Sequence, residues 1–363
     1  MVALLKFTSL GYYSEGLDNN YKLIRFLMAS LVLFSHCYPL TRGYESADAF
    51  NTILGFNSFG GIAVDVFMIV SGFLITRSLL NRPSLLSFLE ARVLRIFPAL
   101  IVANIFAVFF VGVMVTRLSV HDYFSHSSWR EYLFYNSLLL DNSGRLAGVF
   151  ESNPYAGPVN GSLWTLPTEF RLYIVFAALG LFGIHRKKPL FNALAIISYV
   201  LLWYKADMFP EISRLFIIEF TGYFLVGAIF YLNRDKIPVN TFIALSVAGL
   251  LILSRNTFLF NSILPVGMAY LVFWLAYSPF FQPLKGFNRI GDYSYGIYIY
   301  AYPVQQSIAA FYSGITPVKM LLLAYPIVFL LAFLSWRLIE QRALEYKGTL
   351  KRTLSGILPA FFS

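Results

Sequence analysis

The chain has 363 residues, of which 58% are hydrophobic, 18% aromatic and 13% charged, and its mean hydropathy is +0.66. Soluble globular domains carry about 25% charged residues, so this composition excludes an ordinary soluble protein and leaves little room for a fused soluble domain. The formal net charge of +10 does not predict a nucleic-acid partner in so apolar a chain, where the distribution of charge along the sequence is the better guide.

The apolar residues fall into ten stretches, and each predicts a transmembrane helix, which needs about 20 mostly apolar residues. The stretches cover about residues 22–40, 60–80, 94–116, 162–183, 189–204, 214–232, 241–254, 258–278, 293–312 and 318–339. The sequence therefore predicts an all-α integral membrane protein with about ten transmembrane helices that contact membrane lipids.

Lys and Arg are distributed unevenly between the two sides of this predicted bundle. If all ten stretches cross, the side that holds both termini carries nineteen of the 28 Lys and Arg, the opposite side carries eight, and Arg171 falls within a span. An excess of Lys and Arg marks the cytoplasmic side, so both termini are predicted to be cytoplasmic. Residues 1–340 then form one polytopic membrane domain and residues 341–363 a cytoplasmic tail.

The longest predicted outer segment covers about residues 117–161. It carries His121, Asp122, His126, Asp141 and Glu151 together with several Gly and Pro. This composition suits an ordered loop near an external site, and it equally suits a solvated connector.

Four ionisable residues within predicted spans stand out: Arg25, His36, Asp65 and Glu169. Each charged group costs at least about 2.5–3.5 kcal/mol there, so each needs a partner or a function. Arg25 and His36 are eleven residues apart, about three helical turns, and share a face of the first span. His36, Asp65 and Glu169 are each expected roughly 10 Å below the outer surface, counting about 1.5 Å per residue. They either form a general-base site or neutralise one another between helices.

Arg92 and Arg95 are one helical turn apart at the inner end of the third span and point to the same side. Two guanidinium groups there form a clamp for phosphate oxygens, such as those of coenzyme A. The alternative is that they only set the orientation of the helix, because basic residues are expected at cytoplasmic helix ends.

Five segments, in this order along the chain, resemble motifs of the membrane-bound acyltransferase-3 family. They are YKLIRFLMASLVLFSH from Tyr21, GGIAVDVFMIVSGFLI from Gly60, ARVLRIFPAL from Ala91, SLWTLPTEFRLY from Ser162 and IGDYSYGIYIYAYP from Ile290. The matches cover most of the chain, and their number and order make the resemblance specific.

The resemblance implies transfer of an acyl group, usually acetyl, from acyl-coenzyme A to hydroxyls of surface carbohydrates. Acceptors in the family include O-antigen, exopolysaccharide and lipo-oligosaccharide, which implies a carbohydrate or lipid-linked oligosaccharide partner and a bacterial inner membrane location. Carried over by motif, His36 is the catalytic base with Arg25 as its partner, and Arg92 and Arg95 form the coenzyme A site. Glu169 either orients His36 or contacts the acceptor.

The match departs from the family pattern in the predicted ninth span, where members commonly carry a histidine and this chain has Ala301. A second histidine therefore has no role here, and Tyr300 or Tyr302 is expected to supply a hydroxyl to the same cavity. Asp65, Tyr302 and Tyr173, which lies in the fourth-span motif, are the candidate substrate-binding residues.

Cys37 and Ser71 are expected to pack between helices, not to carry an acyl group. The sequence shows no metal-ligand spacing, so no metal cofactor is expected. The main alternative function is a transporter or flippase of a lipid-linked sugar, although the inverted repeats of such carriers are not found in the sequence. A polysaccharide polymerase is a third possibility.

Overall fold

The structure, a computed structural model, describes residues 8–16, 19–43, 46, 48, 51, 57–82, 84–140, 144–205, 217–257 and 259–348. These residues are mostly helical. The helices, in chain order, are α1 (Leu10–Ser14), α2 (Tyr21–Arg42), α3 (Phe59–Asn81), α4 (Leu85–Val115), α5 (Val120–Ser125), α6 (Ser128–Ser137), α7 (Thr165–Leu181), α8 (Lys188–Lys205), α9 (Ile217–Leu232), α10 (Thr241–Ser254), α11 (Phe260–Tyr277), α12 (Ser294–Phe311) and α13 (Pro317–Glu345).

Other regular elements are short. Helix α4 contains a π-helical segment at Phe106–Gly112, and α13 contains one at Trp336–Glu340. In the described residues, the exception to the predicted all-α class is an antiparallel pair of two-residue strands, β1 (Thr8–Ser9) and β2 (Pro238–Val239). The 3₁₀-helical segments are Gly161–Trp164, Ile184–Arg186 and Pro279–Arg289.

Each of the ten predicted apolar stretches coincides with a helix, namely α2 to α4 and α7 to α13. Helices α2, α3, α4, α11 and α13 are long and apolar enough to cross a membrane, while α8, α9 and α10 are shorter apolar helices. Ten crossings and cytoplasmic termini stay predictions. Residues 349–363 of the predicted tail, and residues 141–143 of the predicted outer segment, lie outside the described residues.

Helix α4 contains the third predicted span and begins before it, at Leu85. Its first two turns carry polar side chains that are buried against protein, so hydropathy alone did not include them. Glu90, for example, is 8% exposed and accepts a hydrogen bond of 2.9 Å from the backbone N–H of Gly348. Arg92 and Arg95 consequently lie inside α4 and not at its end.

Helix α12 is enclosed by protein along most of its length. Every residue from Ser294 to Ala309 is buried, including the fully buried side chains of Gln305 and Gln306. A helix with no lipid-facing side does not need an apolar surface. This accounts for the many tyrosine and glutamine residues of a segment that was predicted as a span.

Helix α13 packs against α12 through a stripe of small or flexible side chains. The stripe repeats every four residues and consists of Met320, Ala324, Val328 and Ala332, each 0% exposed. A Cβ added to Gly296 of α12 would lie 2.7 Å from the Cα of Ala332, so the two backbones approach closely. Close approach through small residues is the usual way in which membrane helices associate.

The chain forms two compact units. The first contains Met1–Arg25, Val64–Leu85 and Leu172–Ile290, and the second contains Phe26–Ala63, Leu86–Arg171 and Gly291–Ser363.

In the first unit, α3 and α9 meet at two glycines. A Cβ on Gly72 would lie 1.9 Å from the carbonyl oxygen of Phe224, and one on Gly227 would lie 2.0 Å from the carbonyl oxygen of Ile69. Because both obstacles are backbone atoms, the helices must separate to admit a side chain. The contact agrees with the prediction that the Ser71-Gly72 pair serves helix packing.

We expect Gly227→Ala to lower the free energy of unfolding by about 1–3 kcal/mol, the usual cost of overpacking a tight contact. Gly222→Ala, on the same helix, is the matched control, because its added Cβ would be 3.8 Å from the nearest atom, in the ring of Tyr199. Thermal unfolding in detergent measures both. Equal melting temperatures for the two variants would contradict the close contact.

In the second unit, the described part of the 117–161 segment folds around its own apolar core. Helices α5 and α6 and the turns that follow them pack on the π-helical part of α4. The buried core residues are Ala107, Val108, Val111, Tyr123, Tyr132, Leu146, Val149, Phe150 and Val159. The segment is therefore an ordered cap on α4 over its described residues.

Tyr123 joins this cap to the π-helical segment. Its hydroxyl donates a hydrogen bond of 3.0 Å to the carbonyl oxygen of Val108. Burial raises the pKa of the Tyr123 hydroxyl to about 12, so the group stays protonated and remains a donor. A Cβ on Gly112 would lie 2.2 Å from the same hydroxyl, which explains the glycine at this position.

Candidate active site

His36 lies in the second half of α2, against Tyr302 of α12. The two ring centroids are 5.1 Å apart and the planes are nearly perpendicular, at 81°. The imidazole is half-buried, and its Nδ1 is fully buried without a hydrogen-bond partner among the described residues. Nδ1 is therefore closed to a substrate, which leaves Nε2 as the candidate base. The structure thus brings together two residues that the sequence analysis named separately.

The next residue, Cys37, points into protein. Its thiol is buried and donates to the carbonyl oxygen of Leu33 at 3.4 Å, one helical turn earlier. The side chain of Gln305 donates to both groups, at 3.0 Å to Sγ of Cys37 and 2.8 Å to the oxygen of Leu33. These contacts fix α2 to α12 beside His36 and support a packing role for Cys37.

Gln306 fastens the cap to α12. Its amide donates to the carbonyl oxygens of Tyr155 and Pro158, at 3.0 and 3.1 Å. The side chain of Asn153 in turn donates to the backbone oxygen and to Oε1 of Gln306, at 2.9 and 2.7 Å. The end of the 117–161 segment is therefore held over the helix that carries Tyr302.

A tight turn also lies against the ring of Tyr302. Asn160 donates to the carbonyl oxygen of Ile299 at 2.8 Å and caps the 3₁₀ segment by accepting from the N–H of Ser162 at 3.3 Å. A Cβ on the intervening Gly161 would lie 2.6 Å from Cζ of Tyr302. Only glycine therefore lets this turn pack against the ring that contacts His36.

Glu169 lies in the first two turns of α7, close to Tyr298 of α12. The Tyr298 hydroxyl forms hydrogen bonds of 2.6 Å with the hydroxyl of Thr165 and with the carbonyl oxygen of Ser162. The Glu169 carboxylate interacts electrostatically with the same tyrosine. Tyr298 and Tyr302 are one helical turn apart, so α12 presents one tyrosine toward Glu169 and the next toward His36.

Asp48 was not found by sequence reasoning, because it falls between two predicted spans. It is buried, and its Oδ2 accepts hydrogen bonds from the hydroxyl of Ser35 at 2.7 Å and from the N–H of Phe59 at 2.8 Å. It thereby ties the start of α3 to the residue that precedes His36. Asp48 lies eleven positions before Phe59, too far for a local N-cap pattern, so the sequence carries no signal for this contact.

Asp65, Tyr173 and Arg25 belong to the other compact unit. Asp65 is buried, its carboxyl group is hydrogen-bonded to Tyr223, and Glu219 lies nearby. The Tyr173 hydroxyl is 3.0 Å from the hydroxyl of Ser71. The predicted meeting of His36, Asp65 and Glu169 stays a prediction.

Arg95 is the centre of an ion-pair network. Its guanidinium contacts Asp292 at 2.7 Å and Glu340 at 3.3 Å, and the three side chains are 16%, 10% and 2% exposed. Ser294 and Ser335 donate to the other oxygens of these carboxylates, at 2.7 and 3.0 Å. The network links α4, the start of α12 and the end of α13.

Arg92, one turn before Arg95, is half-buried. The two arginines share a face as predicted, but Arg95 is already engaged by two carboxylates. The binding of donor phosphates by Arg92 and Arg95 stays a prediction.

The cap contains an open cavity of about 610 Å³. Its charged lining consists of Arg117, Arg145 and Glu151, joined by His126. His126 accepts from the N–H of Ser128 through Nδ1, at 3.3 Å, which leaves its Nε2–H as a donor. The cavity therefore offers several donors to a polar ligand.

Polar side chains held between long apolar helices define a polytopic membrane protein with a polar site inside the bundle. A family model described as an acyltransferase domain matches residues 18–338, and the chain belongs to this acyltransferase-3 family. The family resemblance drawn from the five motifs is thus confirmed, and the protein is an integral membrane enzyme.

Two relatives match over nearly the whole chain. An O-acetyl transferase of Shigella phage Sf6 is 32% identical, over 90% of this chain and 96% of the relative. Nodulation protein 10 of Rhizobium leguminosarum bv. viciae is 29% identical, over 93% of this chain and 96% of the relative. No solved structure matches the chain.

Proposed function

We propose that this protein transfers an acyl group, most simply acetyl, from cytoplasmic acetyl-coenzyme A to a hydroxyl of a surface carbohydrate in the bacterial inner membrane. Acceptors of this class are O-antigen, exopolysaccharide and their lipid-linked precursors. Family membership and the relative named as an O-acetyl transferase support the reaction class. The observation that carries the chemistry is the imidazole of His36, half-buried within an apolar helix and packed on Tyr302.

In the proposed reaction, His36 accepts the proton of the acceptor hydroxyl through Nε2. The hydroxyl oxygen attacks the thioester carbonyl and the carbon–sulfur bond breaks. Coenzyme A leaves as a thiol after taking up the proton that His36 received. Tyr302 holds the imidazole ring from one side, and its own position is fixed by the turn at Gly161. General-base catalysis of this kind is typically worth 10²- to 10⁴-fold, roughly.

The other named residues have supporting roles in this proposal. Arg25 is the partner of His36 in the α2 motif, and Glu169 orients His36 or contacts the acceptor. Asp65 and Tyr173 are acceptor-contacting candidates. Arg92 contacts the donor phosphates, because a guanidinium pairs well with phosphate oxygens. In this proposal Arg95 acts on the donor site indirectly, because its ion-pair network positions α4.

The carbohydrate acceptor is proposed to approach from the side of the cap. The cavity lined by Arg117, His126 and Arg145 supports this direction, since guanidinium and imidazole N–H groups donate to sugar oxygens. The donor then enters from the opposite, cytoplasmic side, so the acceptor need not cross the membrane.

The alternative of a lipid-linked sugar transporter is disfavoured by membership in an acyltransferase family. Mass spectrometry of surface glycans separates the two functions. Cells with the intact gene should carry glycans heavier by one acyl group than cells with His36→Ala at matched expression. Glycans that are absent from the surface, and not merely lighter, would indicate transport.

The proposed orientation is tested by labelling with an impermeant thiol reagent in spheroplasts. In a Cys37→Ala background, Glu131→Cys should be labelled, because Glu131 is exposed on the cap, while Ser84→Cys should react only after lysis. The excess of Lys and Arg on the side of Ser84 is the physical reason. Labelling of Ser84→Cys but not Glu131→Cys in spheroplasts would show the reverse topology.

A further inference from the structure

A cluster of basic side chains surrounds a second cavity, of about 660 Å³, in the compact unit that contains α8 and α9. Its cationic lining residues are Arg82, Arg186, Lys188 and Arg234, and His185 lies beside them. None of its described lining residues is acidic. The proposed chemistry at His36 uses none of these residues.

Two of the guanidinium groups are oriented by their own surroundings. Nε of Arg82 donates to the hydroxyl of Ser78 at 2.8 Å, one turn earlier. The guanidinium of Arg234 lies over the ring of Tyr231, 4.4 Å from its centroid, and donates to the backbone oxygen of the same residue at 3.1 Å. These positions are set before a ligand binds, which lowers the entropic cost of binding.

The walls of the cavity are also braced. The side-chain amides of Asn192 and Asn233 exchange two hydrogen bonds, of 3.1 and 2.8 Å, between α8 and the turn after α9. On the opposite wall, a Cβ on Gly180 would lie 2.3 Å from the side chain of Leu85, so the chain segments are in tight contact. Hydrogen bonds and tight packing therefore hold the chain segments around the cavity in place.

The chemistry of the lining selects for a multiply charged anion. Three guanidinium groups and an ammonium group line the cavity, and a multiply charged anion would lower their mutual repulsion. The N-terminus of α8, at Lys188, adds partial positive charge, and Nδ1 of His185 is buried without a partner among the described residues. Guanidinium groups pair bidentately with phosphate oxygens, which makes clustered phosphates the best fit.

We propose that this cavity is a phosphate-binding site, distinct from Arg92, that takes clustered phosphate groups. Two sources carry this chemistry: the nucleotide end of the acyl donor, and the headgroup of an anionic phospholipid. All four cations belong to the predicted cytoplasmic side, where both sources are found. Assignment to the donor rests on the proposed function, whereas the phosphate site itself does not.

The test uses the full chain in nanodiscs of zwitterionic lipid, with adenosine 3′,5′-bisphosphate as the soluble probe. Arg186→Gln combined with Lys188→Gln should weaken binding at least tenfold. Both side chains are exposed, so the fold should be retained, and Arg234→Gln provides a second, independent variant. The matched control is Lys236→Gln combined with Arg289→Gln, which removes two exposed cations of the same unit outside the cavity.

A second arm measures retention of phosphatidylglycerol by native mass spectrometry. If the cavity variants lose bisphosphate binding and the control does not, the nucleotide end of the donor is the supported ligand. If the cavity variants lose phosphatidylglycerol and the control does not, the lipid headgroup is the supported ligand. If neither probe distinguishes the cavity variants from the control, the site is refuted. Because both arms measure binding and not transfer, their outcome is independent of whether surface glycans are acylated.

Discussion

His36→Ala is expected to lower acyl transfer by about 10²- to 10⁴-fold while the protein still inserts and binds its donor. The reason is positional. The Nδ1 of His36 is buried, which leaves Nε2 as the proposed base, and the ring packs against Tyr302 at 5.1 Å between centroids. Removing the imidazole leaves the acceptor hydroxyl without a base inside an apolar bundle. The measurement is glycan acylation in membranes that contain equal amounts of each variant.

Cys37→Ala is the matched neighbouring control. Its thiol is buried and held by Gln305, so its loss should leave transfer near that of the unchanged protein. Mass spectrometry of the intact chain after exposure to labelled acetyl-coenzyme A tests for an acyl-enzyme. Near-normal transfer by His36→Ala, or an acyl group on Cys37 that passes to the glycan, would contradict direct transfer.

The sequence predicted the helices well because their apolar stretches are long and separated by polar turns. It also predicted that Tyr300 or Tyr302 supplies a hydroxyl to the cavity in which the family's second histidine lies, and that role stays a prediction. The two tyrosine rings have different neighbours. The Tyr302 ring contacts His36, whereas the Tyr300 ring contacts Phe106 at 5.7 Å between centroids. Residues two positions apart on a helix face different directions, and only the packing of α12 could show which one faces α2.

The partners of the polar residues could not be predicted in the same way. Asp292 and Glu340 are 197 and 245 positions from Arg95, so no local pattern links them. Spacing placed Arg92 and Arg95 on one face of α4 correctly, but gave both the same role. Tertiary contacts place the Arg95 guanidinium against Asp292 and Glu340, which the spacing could not show, and donor binding by the pair stays a prediction.

The ordered structure of the cap could not be predicted from the sequence either. Its core residues, such as Tyr123, Tyr132 and Phe150, are scattered among polar residues and glycines, without the long apolar run that marks a span. The core forms only because the π-helical part of α4 contributes Val108 and its neighbours to the same cluster. Local composition therefore left the choice between an ordered loop and a connector open.

Arg95→Ala is expected to lower the free energy of unfolding by about 3–5 kcal/mol, because it leaves buried carboxylates without their cation. Glu340 is 2% exposed, and Asp292 is 10% exposed at the side chain, so neither regains much solvation. Arg92→Ala, one turn away on the same helix, should weaken the apparent affinity for acetyl-coenzyme A.

A third variant separates the loss of the ion pair from the loss of the arginine's bulk. Combining Arg95→Ala with Asp292→Asn and Glu340→Gln removes the uncompensated charges together with the cation, so part of the lost stability should return. Thermal unfolding of detergent-purified protein measures stability, and titration with acetyl-coenzyme A measures donor affinity. The structural role of Arg95 is contradicted if Arg95→Ala has the melting temperature of the unchanged protein and weakens donor binding as much as Arg92→Ala does. Both arginines would then contact the donor, and the carboxylates would serve only to orient Arg95 toward it.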